Sequence, residues 1–228
     1  MTNSSGRGQV WQWGSEGDLS DVAGTGAVLD VAALLQEPAP TAAPRLLGAT
    51  LSHRADGHVV RVRITEVEAY DQDDPASHTF RGPTPRNRVM YEAGGHLYTY
   101  RSHGIHVCAN VVCDQPGRGS AVLLRGGVVE SGRAIAVARR GGRDGDDWLA
   151  AGPGRLCAAM GIALADDGSW LLGPGHPRLE LALPRTPGPV VMVGPRVGVT
   201  KAPDRPWRWW LPEAGGVSTY RRSPRADR

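Results

Sequence analysis

Cysteine, lysine and long apolar runs are scarce in this sequence of 228 residues. Its three cysteines, Cys108, Cys113 and Cys157, are too few and odd in number for the disulfide framework of a small secreted protein. No apolar run approaches the roughly 20 residues of a membrane span, and the polar N-terminus lacks the pattern of a secretion signal. We therefore expect a cytoplasmic protein without a membrane partner.

Positive charge is carried almost entirely by arginine, because Lys201 is the single lysine. The charge is also uneven: residues 1–47 have two arginines against five acidic residues, whereas residues 81–143 have ten against three. A basic half of this kind is typical of a protein that binds a polyanion such as nucleic acid. A solvated, arginine-rich surface would give the same count, so charge alone leaves both interpretations open.

Several familiar site motifs are missing. The sequence has neither the G-x-x-x-x-G-K-[ST] phosphate loop nor the G-x-S-x-G nucleophile turn. His103, His106, Cys108 and Cys113 lie close together, but their spacing matches no structural zinc motif and no C-x-x-C pair is present. We expect neither a metal nor an organic cofactor, and a metal-dependent hydrolase using His103, His106 and Cys108 remains an alternative.

The many glycines and prolines, 31 and 18, favour a turn-rich fold over a helical bundle. Alternating patterns predict a hairpin over 49–70 with its turn at Asp56-Gly57, and strands within 96–113, 120–129 and the C-terminal part. Helices are predicted at 30–36, 130–140 and 152–164. The sum is a single α+β domain over 26–222 with a mostly antiparallel sheet, between a disordered tail, 1–25, and a basic tail, 223–228.

One predicted strand, "VRVRITEVEAY" at 60–70, changes character along its length. Strict alternation places Glu66, Glu68 and Tyr70 on the face that begins with Val60, Val62 and Ile64. A core face that turns into carboxylates is leaving the core or lining a pocket. Tyr98 and Tyr100 share a face of another strand, which suits an aromatic slot for a planar ligand. By pattern alone, a covered face with hydrogen-bonded tyrosines is the commoner explanation.

Six stretches taken in order resemble the alkyladenine (3-methyladenine) DNA glycosylase family: "ITEVEAY", "ASHTFRGPTPRNRVMY", "GHLYTYRSHGIHVCANVV", "AVLLRG", "GPGRLCAAMGI" and "RVGVT". The resemblance spans roughly residues 46–218. It implies a curved sheet with flanking helices, similar to the fold of the C-terminal domain of formyltransferases. It also implies a monofunctional glycosylase of base excision repair, which flips a damaged purine out of DNA and hydrolyses its bond to the sugar.

The same resemblance assigns roles in the reaction. It makes Glu68 the general base that activates water and stabilises positive charge on the sugar, with Arg125 beside that water. It makes Tyr70, His78 and Tyr100 the flat walls of the base pocket. It implies that Asn110 rejects the amino group of guanine and that Leu123 lines the pocket. Glu66 is not given a catalytic role, and we expect a structural ion pair with an arginine.

The implied partner is double-stranded DNA with a damaged purine. Because the chain is expected to be one compact domain acting on chromosomal DNA, we expect a monomer. His103 stands where the family commonly has the tyrosine that fills the gap left by the flipped base, and His106 is expected to share this task. Arg86 and Lys201 are expected to contact DNA. The candidate lesions are 3-methyladenine, 7-methylguanine, hypoxanthine and ethenoadenine, and a non-catalytic nucleic-acid-binding module is the second alternative.

Overall fold

Antiparallel pairing joins the strands of this protein into one sheet. A computed structural model describes residues 9–11, 30–142, 145–173, 178–184 and 191–226. In this part of the chain the strands are β1 (Gln9–Trp11), β2 (Thr50–Ala55), β3 (His58–Tyr70), β4 (Leu97–Ser102), β5 (His106–Val112), β6 (Ala121–Ser131), β7 (Leu179–Ala182), β8 (Val191–Gly194) and β9 (Arg208–Trp210). Their order is β1-β8-β9-β3-β6-β5-β4, and β2 pairs with β3 and β7.

The helices are short and connect or cover the strands. They are α1 (Val31–Leu34), α2 (Ala39–Ala42), α3 (Arg133–Arg139), α4 (Asp146–Leu149) and α5 (Pro153–Met160), with 3-10 turns at Ala43–Leu46, Arg88–Tyr91 and Leu164–Asp166. Asp30 caps α1, as its Oδ1 accepts the N–H of Ala32 at 2.9 Å. Within the described residues no helix is long and apolar enough to cross a membrane. The predicted α+β class is confirmed, while the likeness to formyltransferase domains stays a prediction.

The long strand β3 organises the sheet. Its first half pairs with β2 and its second half with β9, while β6 follows it along the opposite edge. Because β3 changes partner along its length, the sheet branches and curls rather than lying flat. The hairpin predicted at Asp56-Gly57 is confirmed, and the strands predicted within 96–113 are β4 and β5, which pair as a second hairpin. Within the stretch 1–25, expected to be disordered, the structure describes only residues 9–11, which form β1 against β8.

The two faces of the sheet differ in what they bury. One face carries the main core, in which α5 supplies Leu156, Cys157, Ala159 and Met160 against the strands. The other face holds a smaller cluster formed by Val89, Met90, Tyr98, Val112 and Ala121, with Tyr100 packed against it. The second face is therefore where polar and aromatic side chains have room to assemble.

The predicted alternation along β3 is wrong at one point. Ile64 pairs with Gly127 and Glu66 with Gly126, so Thr65 is an extra residue on β3. A bulge of one residue re-aims every side chain that follows it. Val67 and Ala69 therefore join Val60, Val62 and Ile64 in the main core, and the two glutamates lie on the opposite face.

A matching bulge on β6 sets the position of Arg125. Glu66 pairs with Gly126 and Val67 with Leu124, which leaves Arg125 as the extra residue on β6. Val122 and Leu124 belong to the main core, whereas Arg125 faces the same side as the two glutamates. The two bulges together bring a guanidinium beside two carboxylates.

Glycine at position 126 lets a C-terminal loop approach the sheet. A Cβ atom there would overlap the carbonyl oxygen of Gly216, and one at Gly216 would overlap the backbone of Gly127. The hydroxyl of Thr65 donates to the carbonyl of Gly215 at 3.0 Å and fixes the same loop. The loop therefore packs directly against the bulged segments of β3 and β6.

We predict that Gly126→Ala lowers the free energy of unfolding by about 1–3 kcal/mol, because the added methyl group must push backbone away. Urea denaturation followed by circular dichroism measures this change. Gly145→Ala is the control, since among the described residues its Cβ would meet only Trp148, at 3.8 Å, an ordinary contact. Equal stability of the two variants would contradict the close approach of the loop.

Candidate active site

Glu68 is completely buried, and its carboxylate accepts three hydrogen bonds. Oε1 accepts the backbone N–H of Val197 at 2.7 Å, and Oε2 accepts the hydroxyl of Tyr70 at 2.9 Å and Nη1 of Arg125 at 3.4 Å. Tyr70 follows Glu68 on β3, whereas Val197 and Arg125 come from distant parts of the chain. The carboxylate is therefore held in one orientation by its own strand and by two tertiary contacts together.

Arg125 also binds a second buried carboxylate. Its Nε donates to Oε1 of Glu66 at 3.1 Å, so one guanidinium bridges both glutamates. Glu66 additionally accepts Nε of Arg208 at 2.6 Å, and the N–H and hydroxyl of Ser218 at 2.6 and 2.9 Å. The predicted structural ion pair of Glu66 with an arginine is confirmed.

The charges in this cluster balance, two carboxylates against two guanidinium groups. Burial on its own would raise the pKa of Glu66, but Arg125 and Arg208 outweigh it and hold that pKa below its ordinary value of 4.5. Burial would likewise lower the pKa of Arg125, yet Glu68 and Glu66 hold it above its ordinary value. Glu66 and Arg125 therefore stay charged at neutral pH.

A pocket opens beside this cluster. It is lined by Tyr70, Ala76, His78, Met90, Tyr98, Tyr100, Asn110 and Val199. Its cavity of about 100 Å³ is several times the roughly 15 Å³ that one water molecule needs. Tyr70 links the pocket to the cluster, since its ring lines the pocket while its hydroxyl binds Glu68.

The aromatic walls hold one another in place. His78 meets Tyr100 edge-on, with ring centroids 4.6 Å apart, and its Nδ1 is hydrogen-bonded with the hydroxyl of Tyr98 at 3.0 Å. Tyr98 and Tyr100 stack with centroids 5.8 Å apart. Burial, helped by the charge of Arg86, lowers the pKa of His78 below 6.5, so its ring is neutral at neutral pH. The walls thus present uncharged, flat surfaces.

Arg196 supports Tyr70 from behind. Its guanidinium lies 4.7 Å from the centre of the Tyr70 ring and forms a two-point ion pair with the buried Asp74. Its Nη1 also donates to the carbonyl of Ala69 at 3.0 Å. Arg196 precedes Val197 in the chain, so the same loop fixes the ring of Tyr70 and supplies a donor to Glu68.

Comparison with known proteins identifies the family of this chain. The family model of methylpurine-DNA glycosylase matches residues 33–214. The chain belongs to this family. The resemblance drawn from the sequence is confirmed, and with it the assignment of the chain as a DNA glycosylase, an N-glycosyl hydrolase.

Curated relatives cover most of the chain. A protein of Mycobacterium sp. (strain KMS) named "Putative 3-methyladenine DNA glycosylase" is 50% identical over 202 residues, which are 85% of this chain and 94% of its own. Proteins of the same name from Nocardia farcinica (strain IFM 10152) and Mycobacterium tuberculosis (strain ATCC 25177 / H37Ra) are 51% and 50% identical. They cover 88% and 81% of this chain, and 95% and 91% of their own.

The remaining predicted pocket residues of the glycosylase lie where strands β4, β5 and β6 meet. Asn110 lines the pocket, and its amide nitrogen donates to the carbonyl of Tyr98 at 3.2 Å. Leu123 is buried on β6 and is not among the residues that line the pocket. It is in register with Glu68 on one side and Asn110 on the other, so it lies between two of the predicted site residues in the sheet.

The residues expected to contact DNA lie on the surface. His103 is exposed at the tip of the β4–β5 hairpin, with a φ of 50°, and its Nδ1 is 3.0 Å from the hydroxyl oxygen of Ser102. Ile105 is 70% exposed at the same tip, and His106 is exposed beside it. Arg86 and Lys201 are exposed as well, Arg86 near His78 and Lys201 after the pocket residue Val199.

The residues of the metal alternative do not form a site. Among the described residues, no group of three or more His, Cys, Asp or Glu could hold a metal ion. Cys108 is buried and its pKa is raised by burial, whereas His103 and His106 are exposed. The metal-dependent hydrolase is accordingly not favoured.

Five contributors described above received no role from the resemblance: Tyr98, Arg196, Val197, Arg208 and Ser218. Tyr98 had a usable signal, because it shares a strand face with Tyr100. Val197 acts through its backbone N–H, which any residue other than proline supplies, so its identity carries no signal. Arg196 and Ser218 reach the site by long-range contacts that local patterns do not encode.

We predict that Glu66→Gln destabilises the glycosylase by about 3–5 kcal/mol at neutral pH, because it leaves a buried guanidinium without its counter-charge. Since folding lowers the pKa of Glu66, its contribution is fully present above pH 4.5 and is lost as pH falls through the folded value. Urea unfolding from pH 7 to pH 3 should therefore show the gap to wild type closing on the acid side.

The exposed pair of Glu130 with Arg63 gives the control. Glu130→Gln should change the free energy of unfolding by no more than about 0.5 kcal/mol. A gap between wild type and Glu66→Gln that stays constant down to pH 3 would contradict the proposed charge balance.

Proposed function

We propose that this glycosylase is monofunctional, takes a damaged purine out of duplex DNA into its aromatic pocket, and hydrolyses the bond between base and sugar. The observation that supports this most directly is the double role of Tyr70, whose ring lines the pocket while its hydroxyl binds the buried carboxylate of Glu68. A flat slot that ends beside a fixed carboxylate suits a planar base whose sugar lies over that carboxylate.

Glu68 has the geometry of a general base. A carboxylate has about four lone-pair positions, and here three donors use them, which leaves one for a water molecule. In the proposed step the water oxygen bonds to C1′ of the sugar and its proton passes to Glu68. The C1′–N bond breaks, and its electron pair leaves with the base. The carboxylate also stabilises positive charge that develops on the sugar.

The uncharged walls favour cationic bases. Alkylation at N3 or N7 of a purine places positive charge on the base and makes it a good leaving group. Aromatic faces attract cations, and a neutral His78 does not repel them. We therefore propose 3-methyladenine and 7-methylguanine as substrates. Hypoxanthine and ethenoadenine are neutral, so their release needs protonation of the leaving base. They are candidate substrates whose excision tests whether the enzyme supplies that proton.

Base selection is proposed to rest on Asn110. Its side chain is 5% exposed and is tied to the backbone of Tyr98, so it cannot move aside easily. A fixed amide in the pocket would collide with the exocyclic amino group of an undamaged guanine. Adenine-derived lesions and hypoxanthine lack that group and would fit, whereas 7-methylguanine retains it and would be released because its cationic base leaves more readily.

The hairpin tip and the exposed cations are proposed to hold the DNA. His103 is planar and exposed, so it can enter the stack where the flipped nucleotide leaves a gap, with His106 beside it. Arg86 and Lys201 flank the pocket and would bind phosphates. Lys201 does not line the pocket, which is consistent with hydrolysis by water and not by an amine that forms a covalent adduct.

We predict that wild type releases the base from duplex DNA carrying one hypoxanthine or one methylated purine, and that Glu68→Gln is slower by about 10²–10⁴-fold. Loss of the Glu68 carboxylate, the general base that activates water, slows the chemical step but leaves the residues that line the pocket in place. The measurement is single-turnover base release in the presence of chelator, with abasic sites revealed by alkali.

Glu130→Gln is the matched control and should release base at the wild-type rate, since Glu130 is exposed and paired with Arg63. Equal rates for wild type and Glu68→Gln would show that Glu68 is not the general base. Tight binding of lesion DNA without release by wild type would favour the non-catalytic module. A protein–DNA adduct trapped by borohydride would contradict the monofunctional reaction.

We predict that His103→Ala weakens the binding of lesion DNA by about 10-fold, because one stacking contact is worth about 1–3 kcal/mol. Fluorescence anisotropy with a lesion duplex measures the change. His58→Ala is the control, because His58 is also exposed next to a hairpin turn, the turn of β2 and β3. Unchanged binding by His103→Ala would show that His103 does not fill the gap left by the flipped base.

A further inference from the structure

The C-terminal segment from Gly215 to Arg222, here named the strap, crosses the face of the sheet that carries the two glutamates. It begins at Gly215, whose carbonyl accepts the hydroxyl of Thr65, and continues through Gly216, which lies against Gly126. The whole strap lies after residue 214, where the match to the family model ends. The strap is therefore outside the matched region, although it contacts the site just described.

Ser218 is the point where the strap meets the charged cluster. Its N–H and its hydroxyl both donate to Glu66, at 2.6 and 2.9 Å. Its hydroxyl oxygen also accepts Nη2 of Arg125 at 3.0 Å, and its carbonyl accepts Nη2 of Arg208 at 2.9 Å. A hydroxyl can donate once and accept twice, so one side chain can bind Glu66 and Arg125 together.

The far end of the strap binds the loop that holds the other oxygen of Glu68. The N–H of Gly198 donates to the carbonyl of Arg221 at 2.9 Å, next to the Val197 N–H that binds Glu68. Arg222 forms an ion pair with Asp204 at 2.6 Å, after the same loop. The strap thus contacts both groups of neighbours that orient Glu68, namely Arg125 and the loop of Val197.

We propose that the strap positions the general base, with Ser218 as the positioning residue that keeps Arg125 within reach of Glu68. Arg125 has three donor contacts, to Glu66, Glu68 and Ser218, and its contact with Glu68 is the longest of the three, at 3.4 Å. Without the Ser218 hydroxyl, the guanidinium can turn towards Glu66, with which it already makes a shorter contact. The carboxylate of Glu68 then loses one of its three donors and its fixed orientation.

This inference rests on the proposed function, because it assigns Ser218 through the role of Glu68. Ser218→Ala removes both contacts of the hydroxyl and leaves the backbone contacts of the strap. We expect the single-turnover rate of base release to fall about 10-fold, while the Kd for lesion DNA changes less than 2-fold. Ser218→Thr retains the hydroxyl and should recover most of the rate.

The test compares wild type, Ser218→Ala, Ser218→Thr and the control Ser223→Ala on one hypoxanthine duplex, with Glu68→Gln beside them. Ser223 lies beyond the strap, and within the part of the chain that the structure describes its hydroxyl oxygen accepts the nearby N–H of Arg225 in the tail. Its replacement should leave rate and binding unchanged. Circular dichroism establishes that each variant is folded. If Ser218→Ala is not, Ser218→Cys takes its place, since a thiol has similar size but is a weak donor.

The outcomes separate the inference from the function on which it rests. A slower folded Ser218→Ala with unchanged binding, rescued by threonine, supports the strap as a positioning element. If wild type releases base and Ser218→Ala releases it equally fast, the inference is overturned while the proposed function stands. A loss of rate that threonine does not restore also overturns it. If wild type releases no base, the proposed function itself fails.

Discussion

The rest of this structure depends on a single guanidinium that is shared by two buried carboxylates. Glu66 and Glu68 are both completely buried, and Arg125 reaches each of them. A buried charge without a partner is strongly destabilising, so β3 can carry two glutamates at this depth only because β6 and β9 bring Arg125 and Arg208. The bulges, the glycine contact and the C-terminal loop all serve to bring these partners within hydrogen-bond distance.

The bulge at Thr65 shows why strands could be predicted from the sequence while their faces could not. Alternation over 60–70 identified the strand, and the turn at Asp56-Gly57 identified its partner. However, side chains repeat every two residues, so one extra residue exchanges the faces of everything beyond it. The glutamates were expected to continue the face of Ile64, and they lie opposite to it. No local pattern marks Thr65 as the bulged residue, because its pairing is decided by β6.

The residues of the site likewise fall into those that a sequence pattern can identify and those that it cannot. The resemblance named Tyr70, His78, Tyr100 and Asn110, and the structure brings all four to one pocket. These residues act through side chains that lie on strands or follow a recognisable motif. The contributors that the resemblance gave no role, such as Arg196, Val197 and Ser218, act through a backbone N–H or through contacts between residues far apart in the chain. Their positions depend on how loops return to the sheet, which composition and periodicity do not encode.

The hydroxyl of Tyr70 couples the pocket to the chemistry. Burial, together with the nearby charge of Glu68, raises the pKa of Tyr70 well above its ordinary value of 10.0, so the hydroxyl stays a donor over the whole working pH range. The ring is clamped between the pocket and the guanidinium of Arg196, which is itself tied to the buried Asp74. In the proposed reaction, a base that stacks on this ring would meet a group that cannot tilt freely, so the hydrogen bond to Glu68 would keep its direction. The carboxylate is oriented before any substrate arrives, which is the condition under which a fixed charge stabilises a developing cation without reorganisation.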